Sequence, residues 1–251
     1  MLIGLGGFRV PLVKSLLLVS RTGHHILSLD LKYDGSGPFY TGGTLPVRSS
    51  PGKDQLCLAL HSLSQTLVTL KLQSIIIAPE LFWPFRSSAQ CTPTWPRLTS
   101  LIIEYAGYTP SGKYLFEPDP VWYDHGPTWG SPDYVRIKPV HELLNNLYQA
   151  AGQAAQHMPK LELMVLESDI WNAFDTLDEQ GLPKSPGHLF IYHRQKAYTL
   201  WASSSEFWVD PDVQGIWEGV ATKHGIPQCR ITNKQHLNVS VVPSYLEGGH
   251  L

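Results

Sequence analysis

The chain has 251 residues, of which 43% are hydrophobic and only 16% charged, with a formal net charge of −2. That balance describes a chain able to fold around a large buried fraction rather than a disordered one. It gives no electrostatic reason to expect nucleic acid or an acidic membrane as partner. The eight Trp and eleven Tyr could stack bases, but they are not interleaved with Lys and Arg as a single-strand binding groove requires.

Residues 1–23 read as a lead-in. Gly4-Leu5-Gly6-Gly7 lacks the preceding strand and downstream acid of a dinucleotide fingerprint. Lys14 interrupts the apolar run, leaving neither a bilayer span nor a signal-peptide layout. One phrase then recurs: an apolar residue, two spacers, an apolar residue, one spacer and another apolar residue. It appears at Ile26–Leu31, Leu67–Leu72, Leu98–Ile103 and Leu161–Leu166, and the last two copies share a lead-in, Trp95-Pro96-Arg97 and Met158-Pro159-Lys160. Such a phrase is the strand core of a leucine-rich repeat, in which short parallel strands send alternate side chains into a shared core.

Helical stripes precede two of these strands. From Asp54 to Gln65 the stripe is Leu56, Leu60 and Leu63, with Asp54 suited to cap its start. From Val140 to His157 it is Leu143, Leu144, Leu147, Ala151, Ala154 and Ala155, ended by Pro159. Helix followed by strand, repeated, predicts parallel strands joined by crossovers. The strand starts at 26, 67, 98 and 161 are spaced 41, 31 and 63 residues apart, wider than the roughly 20–29 of a regular leucine-rich repeat. The largest interruption, residues 106–139, is rich in proline and aromatics and reads as an ordered, packed insertion.

The C-terminal third changes character. His188–Tyr192 and Ala197–Trp201 read as a β-hairpin. Pro211 to His224 reads as a helix capped by Asp210 and stopped by Gly225, followed by a final strand at Leu237–Val241 and a tail over 244–251. The expected fold is therefore α/β over a single domain, 1–251. It is an irregular leucine-rich-repeat-like parallel sheet with helices on one face, plus a C-terminal β-hairpin and helix.

The stretch from Trp95 to His224 resembles the C-terminal leucine-rich-repeat-like region of fungal F-box proteins. The resemblance rests on Trp95-Pro96-Arg97-Leu98, Tyr108–Phe116, Leu144–Ala151, Met158-Pro159-Lys160-Leu161, Tyr198–Ser203 and Trp217. It implies substrate recognition for a ubiquitin ligase, with an F-box near the N-terminus docking on the cullin adaptor. Neither Met1–Gly23 nor Leu45-Pro46-Val47-Arg48 matches an F-box, so the chain is expected to carry the recognition half without the docking half and not to bind the adaptor. The expectation is a non-catalytic protein-recognition module with an unidentified protein partner. Its alternatives are a small-molecule enzyme or accessory protein of a fungal metabolic pathway, and a remnant without activity.

Chemistry-bearing residues do not assemble into a motif. His24-His25 would point to opposite faces of a strand, and His141-Glu142 lacks the second histidine of a zinc-protease helix. Asp119, Asp124, His125 and Asp133 share the proline-rich insertion, Asp119 and Asp133 directly beside prolines, and fit turn chemistry. No enzyme activity, cofactor or metal is expected. Cys57, Cys91 and Cys229 are odd in number and widely spaced, which suits reduced thiols in the cytoplasm or nucleus. Trp83, Phe85, Trp95, Trp171, Phe207 and Trp208 are read as core filling. The candidate partner-binding residues are Tyr108, Trp122, Tyr123, His125 and Trp129, because aromatics on a loop set over a repetitive scaffold are frequent interface anchors.

Overall fold

The computed structural model describes residues 28–32, 54–84, 92–118, 136–169, 187–203, 206–226 and 230–235. Four strands follow from the recurring phrase: β1 (Ser28–Lys32), β2 (Thr69–Ile75), β3 (Ser100–Tyr105) and β6 (Leu163–Asp169). They pair side by side in that order, all parallel. A hairpin of β7 (Gly187–His193) and β8 (Tyr198–Ser203) adds antiparallel to β6, and β9 (Arg230–Gln235) adds parallel to β8. The result is a mixed α/β fold whose seven-stranded, mostly parallel sheet has the order β1-β2-β3-β6-β7-β8-β9.

The phrase repeats in space as well as in sequence. Leu29, Leu70, Leu101 and Met164 lie in one cross-strand row, and Leu31, Leu72, Ile103 and Leu166 in the next. Leu67, Leu98 and Leu161, which open three copies, have no exposed surface. The strand entries are joined alike: Thr99 N–H donates to the Val68 carbonyl and Glu162 N–H to that of Thr99, each at 2.8 Å. β2 carries one irregularity, a register shift between Leu72 and Ile75 at Ser74, whose φ of 54° is left-handed. The Ser74 hydroxyl donates to Glu104 at 2.8 Å, which holds this bulge against β3.

Three α-helices are present among the described residues: α1 (Gln55–Ser64), α2 (His141–Ala155) and α3 (Pro211–Lys223). Asp54 caps α1, accepting the Cys57 N–H at 2.8 Å. Pro211 opens α3 with its ring at a position where no N–H is needed. Gly225, at φ 76°, closes α3 with the Ile226 N–H on the Ala221 carbonyl. Asp210 stands at the cap position of α3 but makes no side-chain cap bond. Buried residues of all three helices share one hydrophobic cluster with one face of the sheet, including Leu70, Ile103, Met164, Phe190 and Trp201. The helices therefore line a single face, as the alternation of the strands demands.

Among the described residues the sheet ends beyond the hairpin on β9, a strand not expected from the sequence; the expected strand Leu237–Val241 lies outside the described residues. A stretch reading Arg-Ile-Thr-Asn-Lys-Gln offers one strong apolar residue, which is enough for an edge strand and too little for a sequence signal. The insertion at 106–139 is partly built into the fold: β4 (Phe116–Pro118) and β5 (Arg136–Pro139) form an antiparallel pair, and Tyr108 bridges Tyr114. Trp208 is 52% exposed rather than core, whereas Trp95 and Phe207 are buried as expected and Trp83 packs against the core from its margin. Phe85 and Trp171 lie outside the described residues.

Candidate functional site

Side chains alternate along a strand, so the sheet has a second face bearing the other half of each strand's residues. Across the parallel strands that face carries the row Asp30, Lys71, Ile102 and Val165. Asp30 is exposed and the other three are half-buried. Lys71 Nζ stands 3.9 Å from the Asp30 carboxylate, with side-chain exposures of 39% and 59%, so solvent screens the pair and it adds little stability. Towards the hairpin the face turns apolar: Leu189, Ile191 and Ala202 form a small buried cluster with Leu163, Val165, Tyr198 and Leu200 packed around it. Among the described residues, this cluster contains strand residues alone.

On the helical face, a buried polar row crosses the sheet at the carboxyl ends of β3 and β6. Ser168, His188 and Ser203 are register partners on β6, β7 and β8, each without exposed surface. The Tyr105 and Tyr148 hydroxyls lie 3.5 Å apart beside them, and burial holds both phenols above the ordinary tyrosine range. Among the described residues, neither ring nitrogen of His188 has a hydrogen-bond partner, nor does the Ser168 hydroxyl. The imidazole is enclosed by the rings of Phe207, Phe116 and Tyr148, with centroids 4.7, 5.8 and 5.8 Å away. Burial, and secondarily the charge of His141, pushes its pKa down to about 3. This row is therefore a set of uncharged donors and acceptors at neutral pH.

An aromatic stack leads from this row to the surface. His141, the first residue of α2, stacks on Phe207 and on Trp208, each with ring centroids 5.4 Å apart. The Trp208 N–H donates to His141 Nδ1 at 3.4 Å, and the Trp208 carbonyl accepts from Asn145 Nδ2 at 3.1 Å. Asn145 Oδ1 then accepts the Asp210 N–H at 2.9 Å. Elsewhere, a cavity of about 10 Å³ beneath Ser64, Leu70, Phe82, Trp95 and Met158 is at the lower limit for one water. It is a packing gap, not a ligand site.

Of the candidate partner-binding residues, Tyr108 is 4% exposed and so turned into the fold rather than presented outward. Trp122, Tyr123, His125 and Trp129 lie outside the described residues, as do Asp119, Asp124 and Asp133. Among the described residues no three of His, Cys, Asp and Glu come together as a metal site. No helix among them is long and apolar enough to cross a membrane. Sequence reading missed His188 and Ser168, although the alternation was available: His188 shares a face with Phe190 and Tyr192, and Ser168 with Leu166 and Met164.

Residues 133–246, a stretch that holds β5 to β9, match the model of a family of unknown function, DUF6546. The matched stretch, less than half of the chain, contains α2, the hairpin, α3 and the whole of the Trp208 surroundings. Neither the comparison with curated proteins nor that with solved structures gives a match.

Proposed function

We propose that this protein is a non-catalytic protein-recognition module with leucine-rich-repeat-like character, similar to the substrate-binding region of a fungal F-box protein. The observation that supports it is the second face of the sheet, where Asp30, Lys71, Ile102 and Val165 stand side by side on four parallel strands. Parallel strands stacked in register give a broad surface whose specificity resides in its side chains. A row running from charged to apolar suits a protein surface better than a small molecule. The test is the double substitution Lys71→Glu and Ile102→Lys. It is expected to leave the thermal transition within a few degrees and to abolish retention of a partner captured by the wild-type chain. Equal retention by both proteins would overturn the assignment of this face. Direct binding of the cullin adaptor by this chain alone would overturn the expectation that it carries no F-box.

A second reading, a small-molecule enzyme, draws on the buried row of Ser168, His188 and Ser203 at the carboxyl ends of parallel strands, a frequent place for sites in α/β sheets. Its chemistry argues against it. A general base works best with a pKa near the working pH, and burial holds that of His188 far below it, at about 3. The Ser168 hydroxyl also has no base within hydrogen-bond reach.

A further inference from the structure

Trp208 is the most exposed large hydrophobic side chain among the described residues, at 52%. A single exposed tryptophan is ordinary; one fixed in place on both sides is not. Its N–H is held by His141 and its carbonyl by Asn145, while Asn145 also takes the N–H of Asp210. Asn145 is itself buried, with 7% of its surface exposed. The backbone on which Trp208 rides is thus tied to α2 from both directions, and its ring stacks on His141. Ordering an interface side chain normally opposes binding. Here that ordering is already present in the free protein.

The segment that carries Trp208 bears one sign of charge. Exposure alternates through the segment, with Glu206, Trp208 and Asp210 exposed and Phe207 buried between them. Glu206–Asp212 holds three carboxylates, Glu206, Asp210 and Asp212, all exposed, and no Lys or Arg. Glu142 adds a fourth exposed carboxylate next to His141, against Lys138 as the cation nearest to it in sequence. A tryptophan face attracts cations through its quadrupole, and arginine stacks on it best while offering donors to carboxylates. We infer that Trp208, with Glu206, Asp210 and Asp212 flanking it in sequence, is a docking platform for an arginine-bearing basic segment of a partner protein. It is separate from the sheet face invoked above and stands without it.

The probe is an end-capped peptide of alternating glycine and arginine, with a second peptide carrying citrulline in place of each arginine as an uncharged control. Binding is followed by fluorescence anisotropy at low salt and at 0.15 M salt. Wild-type protein is expected to bind the arginine peptide saturably, and at least roughly tenfold more tightly than the citrulline peptide, as desolvated cation–π contacts allow. Trp208→Ala should weaken it by about tenfold or more, Trp208→Phe by less, and the pair Glu206→Gln and Asp212→Asn by several-fold with a flatter salt dependence. The sheet-face pair Lys71→Glu and Ile102→Lys should leave this binding unchanged, which separates its failure from failure of the proposed function. Unaltered affinity in Trp208→Ala, equal binding of the citrulline peptide, or no saturable binding would each overturn the inference. So would concentration-dependent self-association abolished by Trp208→Ala, since the platform would then belong to a second copy of the chain.

Discussion

Replacing His188 with leucine tests whether a buried imidazole with no hydrogen-bond partner shapes the stability of this fold. Both ring nitrogens are unpartnered among the described residues, and His188 has no exposed surface. Burial, with His141 as the lesser cause, pushes its pKa down to about 3, against an ordinary value of about 6.5. The sign follows from proton counting. Above about pH 6.5 neither the folded nor the unfolded chain holds the extra proton. Between about 6.5 and 3 the unfolded chain binds it and the folded chain does not, so stability falls as pH falls, by up to about 1.4 kcal/mol per unit. Integrated from pH 7 to pH 5, the loss from this one residue is about 2 kcal/mol. Urea unfolding at pH 7, 6 and 5 should therefore show wild type losing about 2 kcal/mol more than His188→Leu across that range. His61, His157, His193 and His224, whose values are also lowered by burial, are common to both proteins and cancel in the difference. At pH 7 the variant should be at least as stable as wild type, because an unpartnered buried polar group costs about 1–3 kcal/mol. Parallel pH profiles would refute the reasoning. A variant destabilised by more than about 2 kcal/mol at pH 7 would do so too, since it would mean the imidazole makes bonds of value.

Gly152→Ala should destabilise despite its helical setting. A methyl there would stand 2.6 Å from Ile216 Cγ2 and 3.1 Å from Trp217 Nε1 where α2 meets α3, so overpacking of about 1–3 kcal/mol outweighs a propensity gain of at most about 1. Calorimetry should find a transition lowered by several degrees, and a raised one would show that the two helices separate freely. Asp54→Ala removes the acceptor of the Cys57 N–H and should cost about 1 kcal/mol, with Asp54→Asn close to neutral; equal losses in denaturant titrations of the two variants would mean that the cap contributes through its charge.

The parallel half of the sheet was legible because its strands repeat one leucine-centred phrase whose period matches the pleat. The parallel pairing onto β2 and β6 followed from the helices that precede those two strands. β9 was not legible, since an edge strand needs few apolar residues. Trp208 misled for a physical reason. Composition favours burial of a tryptophan, but the short segment joining β8 to α3 must place Phe207 against His188, and the next residue then points outward. The same alternation would have put His188 in the core had it been weighed above the usual exposure of histidine. Nothing in the sequence signals that Asn145 ties down residues 208 and 210, because that link spans more than 60 positions.

The hairpin differs from the other strand pairs of the large sheet in how little chain separates its partners, a turn of four residues, Arg194–Ala197. A hairpin of this kind closes in about 1–10 μs, while the parallel neighbours must wait for long crossovers to find each other. Its tip is also fastened to the entry of β6: Arg194 donates from its N–H to the Glu162 carbonyl at 2.8 Å and from its guanidinium to that of Pro159 at 2.9 Å. β7 and β8 are thus expected to order early and to hand their register to β6, onto which β3, β2 and β1 add in turn. Folding of this sheet would then run against the direction of the chain, so that lesions at the turn slow folding while lesions in β1 and β2 chiefly speed unfolding.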